Sequence, residues 1–143
     1  DSTIKEDFFE FLEERDYSLS YKMPFLLAIV KHIDSIGDAK IEEVLDDYIA
    51  FYQNRLSRGL QVDRSTCPYD EKMLKDRKAV QRNMLTNPFE KFERKRFLYY
   101  SKDLSVISMN HALFGQMKAE DWERVRKQMR EDLRKYYDGM GGV

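Results

Sequence analysis

Apolar residues recur every three or four positions along most of this chain, the repeat of helices that bury one face. A first helix is predicted over residues 3–15, with Ile4, Phe8, Phe11 and Leu12 on one stripe and Glu6, Glu10, Glu13 and Glu14 opposite. That stripe either clasps the rest of the fold or docks a neighbour. The second helix, residues 23–36, is the most apolar; Pro24 suits its first turn and Gly37 its end. The third, 41–56, carries Ile41, Val44, Leu45, Tyr48, Ile49, Tyr52 and Leu56 on one face. Its Glu42, Glu43, Asp46 and Asp47 lie near the N-terminus, where carboxylates suit the helix dipole. A fourth helix, 70–85, buries Met73, Val80 and Met84. The last, 119–137, is striped by Trp122, Val125, Met129, Leu133 and Tyr136, a pattern for core packing or for a dimer seam; Gly139, Gly141 and Gly142 follow as a floppy tail. Residues 38–40 and 111–115 read as links. Residues 57–69, with Gly59, Cys67 and Pro68, read as an irregular insertion of the kind that is functional or mobile.

The helical period fails in one place. Phe97-Leu98-Tyr99-Tyr100 and Val106-Ile107 favour strands, and residues 101–105 between them are short enough for a hairpin, although they lack the Gly of the tightest turns. Just before this, Asn87 is placed to cap a short helix over 88–95, with Pro88 at its first position and Glu90 at capping-box spacing. A basic helix feeding a hairpin after a series of helices predicts a mainly α fold with a small β-hairpin. The expected core is winged helix-turn-helix-like over residues 18–115, flanked by helices in 1–17 and 118–138, all in one domain. The competing reading is a hairpin that only packs on helices and touches no ligand.

Composition bounds the class. The chain has 143 residues, 42% apolar and 36% charged, enough to bury a core under a highly charged surface. Its longest apolar run, 23–30, is far short of a membrane span, and its acidic, amphipathic start is unlike a secretory signal. A single cysteine, Cys67, excludes an internal disulfide and fits a reducing, cytoplasmic setting. Beginning at Asp, the chain is compatible with a fragment of a longer protein or with simple renumbering.

The net charge of −1 conceals a polarity. Residues 1–49 hold 13 acidic and 5 basic side chains, whereas residues 72–102 hold 10 basic and 3 acidic. A basic block of that size is either a phosphate-binding footprint or a partner for the acidic third inside the fold. On the first reading the candidate nucleic-acid contacts are Lys78, Arg82, Lys91, Arg94, Lys95, Arg96 and Lys102, with DNA the favoured partner; Arg55, Arg58 and Arg64 around the insertion are further phosphate candidates.

Motifs for catalysis are missing. The sequence contains neither a phosphate loop nor a dinucleotide fingerprint. One Cys and two His do not make a zinc set, and His32 has no ligand partner at metal spacing. Cys67 reads as an ordinary thiol. Glu90-Lys91 and Glu93-Arg94-Lys95 have an acid-then-base spacing that some nucleases use, but on a short helix such residues pair along the surface. The chain is therefore expected to be non-catalytic, with no cofactor and no metal.

Several patches together resemble a known family. They are Ser20-Tyr21-Lys22, Phe51-Tyr52 with Arg55 and Gly59-Leu60, Asn87-Pro88-Phe89 with Phe92, and Tyr100-Ser101-Lys102-Asp103. Together they look like the C-terminal region that follows the motor in some bacterial DEAD/DEAH-box (superfamily 2) helicase-like proteins, some of which also carry a nuclease domain. The resemblance covers about residues 18–115, and its motifs are degenerate. It implies an accessory domain of a bacterial DNA-processing or defence protein, with ATP chemistry in an upstream motor and no catalytic residue here. The alternative role, from another class, is a protein-interaction module in which the acidic third or the terminal helix docks on a motor or nuclease domain.

Overall fold

A computed structural model describes residues 2–140. Its helices are α1 (Ile4–Glu13), α2 (Lys22–His32), α3 (Ile41–Ser57), α4 (Glu71–Leu74), α5 (Arg77–Met84), α6 (Glu90–Arg94), α7 (His111–Gln116) and α8 (Ala119–Gly139). Three short strands, β1 (Asp38–Lys40), β2 (Leu98–Ser101) and β3 (Val106–Met109), form one antiparallel sheet in the order β1-β3-β2. The fold is thus mainly helical with a small sheet. Gly139 closes α8 instead of opening a tail, and Gly141 and Gly142 lie outside the described residues.

Local chemistry sets several boundaries. Thr3 caps α1 by accepting from the Glu6 amide, while the Glu6 carboxylate accepts from the Thr3 amide, a reciprocal capping box. α2 stops at His32, four residues earlier than the apolar run predicts. Ile33 is extended, and the Asp34 carboxylate accepts from the amides of Ile36 and Asp38, which turns the chain. Gly37 takes φ +90, and a Cβ there would meet the Phe114 ring at 3.1 Å, so glycine is required twice over. The predicted link 38–40 then becomes β1: Ala39 is fully buried opposite Ile107, and the expected two-stranded hairpin is a three-stranded sheet with β3 central. The hairpin turn solves its lack of glycine by placing Ser105 at φ 54.

The predicted fourth helix is two pieces. Asp70 caps α4 through the Met73 amide, and Asp76 breaks the run and caps α5 through the Ala79 amide. Asn87 does not cap a new helix. Residues Leu85–Phe89 form a π-helical turn that joins α5 to α6, and the Asn87 side chain donates back to the Asn83 carbonyl. Pro88 has no N–H to give the ladder, and the wider turn accommodates it without ending the helix. Residues 111–115, predicted as a connector, lie in α7, capped by the Asn110 side chain accepting from the Leu113 amide.

One apolar cluster runs through the molecule, centred on fully buried Phe8, Phe25, Leu26, Leu45, Tyr48, Tyr52, Met84, Phe92 and Leu98. α1 is a clasp on this cluster: Phe8 meets Phe97 edge-on at 5.3 Å and Phe11 meets Phe92 at 5.3 Å, with Phe9, outside the predicted stripe, also buried. Val125, Met129, Tyr136 and Tyr137 seat α8 in the same core. Among the described residues no helix is long and apolar enough to cross a membrane.

Residues 58–70 are tied down by a buried polar network. Asp63, 5% exposed, accepts from the Ser20 amide at 2.9 Å, the Ser20 hydroxyl at 2.6 Å, the Arg64 amide at 2.8 Å and the Tyr136 hydroxyl. Tyr137 donates to the Val62 carbonyl at 2.6 Å, and Tyr48, Tyr69 and Asn83 form a second chain of side-chain hydrogen bonds. Burial raises the pKa of the Tyr48, Tyr69 and Tyr137 hydroxyls, so they remain donors across the physiological range.

Candidate nucleic-acid interface

The ten basic side chains between residues 72 and 102 have different surroundings. Three are paired. Arg77 reaches α3, at 2.9 Å from Glu42 and 2.8 Å from Asp46; Lys75 pairs with Glu71 at 3.1 Å; Arg94 grips Glu90 through both Nε and Nη2. Arg77 is therefore neutralised by the acidic third of the chain. Lys72, Lys78, Arg82, Lys91, Lys95, Arg96 and Lys102 are all exposed and have no ion-pair partner among the described residues.

The fold brings some of these cations together and separates others. Lys78 and Arg82 sit four residues apart on α5, on one face. Lys91 on α6 lines a shared cleft with Lys22 at the start of α2, which the sequence reading did not include among the candidate contacts. The Lys22 ammonium lies 4.9 Å from the centre of the Phe11 ring and donates to the Asp16 carbonyl at 3.0 Å. Partial burial lowers its pKa, Lys91 and Arg94 lower it further, and Asp16 and Glu14 oppose them. Lys22 was illegible as a neighbour of this basic segment because it belongs to the acidic third and shares a cleft with Lys91 only in three dimensions.

Lys95, which caps the end of α6, and Arg96, at φ 63, line a cleft with Asp7 and Glu10 of α1 and with Glu14, which caps its end. No carboxylate there approaches within ion-pair distance, but the acidic helix lowers the positive potential around those two cations. Lys102 begins the hairpin turn, the length of β2 away from Arg96, beside Leu104, which is 72% exposed. The seven residues therefore form an extended basic margin along α5, α6 and the hairpin, not one compact patch.

The insertion arginines have structural attachments. Arg55 lies 3.6 Å over the Tyr137 ring and donates to the Gln61 carbonyl; Arg64 lies 4.8 Å over the Tyr136 ring and donates to the Ser18 carbonyl. Arg58 remains exposed.

Other reactive groups are occupied. Arg94 holds the Glu90 carboxylate below its ordinary pKa, which disfavours it as a proton acceptor, as the surface-pairing reading anticipated. Burial raises the pKa of the Cys67 thiol, against which the hydroxyl of Tyr21 rests at 3.5 Å, the reverse of what a nucleophilic thiolate needs. His32 is a bridge between helices, with Nε2 at 2.7 Å from Asp47. Among the described residues no three His, Cys, Asp or Glu side chains converge as a metal site. No protein-family model, curated protein or solved structure matches the chain.

Proposed function

We propose that this chain is a winged helix-turn-helix-like, non-catalytic module that binds nucleic acid, DNA in preference, through the basic margin of α5, α6 and the hairpin. The element order supports this reading. A helix (α2), a strand (β1), a helix (α3), a basic helical segment (α5 to α6) and a hairpin (β2, β3) follow one another, and the sheet has the order β1-β3-β2. In such an arrangement the segment before the hairpin lies against the duplex and the hairpin touches the flanking backbone. The observation that carries the proposal is that Lys78, Arg82, Lys91 and Lys102 are exposed and without carboxylate partners among the described residues on that segment and at that tip. Contacts from such side chains go to phosphates, which position a protein without reading sequence.

The resemblance supports reading this module as an accessory domain of a bacterial helicase-like DNA-processing or defence protein, beside a motor or nuclease domain. The competing role, docking on that neighbour, loses part of two of its surfaces, because Phe8 and Leu12 of the α1 stripe and Val125, Met129 and Tyr136 of the α8 stripe are buried within the chain itself, while Leu133 stays partly covered. Fluorescence anisotropy with a labelled duplex tests the proposal. The triple variant Lys78→Glu, Arg82→Glu, Lys91→Glu is expected to bind at least tenfold more weakly than the parent at low salt (roughly, from the loss of three phosphate contacts). Equal affinity would reject the basic-margin assignment.

A further inference from the structure

A second cationic surface lies outside the basic margin. α2 packs along both α3 and α8, whereas α3 and α8 meet chiefly through the side chains of Phe51, Arg55 and Tyr137. α2 thus floors the first part of a groove between α3 and α8, and the second part lies over the Phe51, Arg55 and Tyr137 contact, where the two helices meet. The groove holds two hollows, of about 450 and 390 Å³, that share Phe51 and Arg130 and follow one another along α8 from Arg126 to Asp138. That is about 18 Å of helix, or roughly three turns. Leu27, Phe51 and Leu133 give it an apolar lining that the fold leaves only partly covered.

The rim carries more cations than carboxylates. Six cations line the two hollows against two carboxylates, Asp47 and Asp138. Lys31 is paired with Asp47, Arg126 with Glu123, and Arg134 lies 3.5 Å from Asp138; Arg55 is held by Tyr137 and the Gln61 carbonyl, while exposed Arg58 and Arg130 have no ion-pair partner among the described residues. None of the seven cations singled out from the sequence lines this groove.

We propose that this groove seats an acidic amphipathic helix of a partner protein. A trough along about three turns of α8, floored by α2 at one end and by the Phe51, Arg55 and Tyr137 contact at the other, is a shape that takes a helix by its apolar face. Leucine-type anchors at successive turns would cover Leu27, Phe51 and Leu133. Glutamate or aspartate at the edges of that face would meet Arg58, Arg130 and Arg134, where planar guanidinium groups bind carboxylates in pairs. Charge complementarity selects the acidic partner, and the apolar lining favours a helix over a phosphate backbone, which brings charge but no apolar face.

The test uses the full chain and a labelled synthetic peptide of about 18 residues, with Leu at i, i+3, i+4 and i+7 repeats and Glu elsewhere. A peptide of the same composition with scrambled Leu positions is the control. Saturable micromolar binding of the first peptide is expected, with at least about tenfold weaker binding of the scrambled one. The double variant Arg58→Glu, Arg130→Glu should lose at least about tenfold, while Lys91→Glu should bind as the parent does. Both substituted arginines are exposed, so the variant keeps the core intact, and an unchanged thermal melt verifies this. Absent binding, equal binding of the scrambled peptide, or full binding by the double variant would each overturn the proposal. So would displacement of the peptide by duplex DNA with loss of duplex binding in the double variant, which would assign the groove to nucleic acid.

Discussion

Two irregular segments of this protein, both polar and both bearing basic residues, have opposite fates. Residues 58–70 lie against the fold: Val62 and Asp63 are buried, and Arg64 stacks over Tyr136. The hairpin turn, residues 102–105, is exposed throughout and held mainly at its end, where the Ser105 carbonyl accepts from the Ile41 amide. The difference comes from what lies within reach. Beside the long segment stand the ring faces of Tyr136 and Tyr137 and a buried carboxylate, which together satisfy guanidinium groups, hydroxyls and amides. Among the described residues Lys102 has no ion-pair partner and lies over no ring. A basic residue in a loop is therefore available to an outside anion only when the fold offers it no aromatic face and no carboxylate, which leaves Lys102 of the hairpin and Arg58 at the start of the long loop open, and makes Arg64 structural.

The largest effect should come from removing the anchor of the long segment. Asp63→Ala leaves the donors of Ser20, Arg64 and Tyr136 without an acceptor and should destabilise the fold by about 3 kcal/mol or more, measured by urea unfolding. A loss under about 1 kcal/mol would mean that the network adds little to stability.

A matched pair of substitutions sharpens the contrast. Arg64→Ala should cost about 1 kcal/mol of stability through lost stacking and leave duplex affinity unchanged. Lys102→Ala should leave stability within about 0.5 kcal/mol and make the salt dependence of duplex binding shallower by about 0.9. If the two effects exchanged places, the comparison would fail.

Asp132 fastens the turn after α1 in the way Asp63 fastens the long segment. Burial acts to raise its pKa, but hydrogen bonds from Tyr17, Arg15 and Gln128 outweigh burial and hold it below the ordinary 3.8. A carboxylate whose pKa is lowered by folding stabilises the fold above its unfolded value, and that contribution is lost as pH falls through the lowered one. The parent should therefore lose stability below about pH 4, and Asp132→Asn should flatten that acid limb in melts taken across pH. The smallest expected effect is at the hairpin tip, where Ser105→Gly should raise stability by about 0.5 kcal/mol through relief of the left-handed backbone.

The sequence made legible whatever depends on local period and charge. The helices that became α1, α2, α3 and α8, the two strands of the hairpin and the basic character of residues 72–102 follow from near neighbours. The pairing of Arg94 with Glu90 is also local. β1 was invisible because Asp-Ala-Lys has no strand preference of its own and is extended only by its register with β3. The π turn was hidden behind an Asn-Pro pair that ordinarily starts a helix. The neutralisation of Arg77 depends on carboxylates more than thirty residues away, and the approach of Lys22 to α6 on the packing of α2. The arginine groove was masked because residues 103–143 carry balanced charge that the helix sorts onto different faces.

The central claim is that the exposed cations of α5, α6 and the hairpin tip neutralise phosphates, and counterion release reports this directly. Duplex affinity measured by anisotropy from low to physiological salt should fall with a log–log slope of about −3 or steeper, as three or more phosphates at roughly −0.9 each require. No binding at low salt, or an affinity indifferent to salt, would contradict the account.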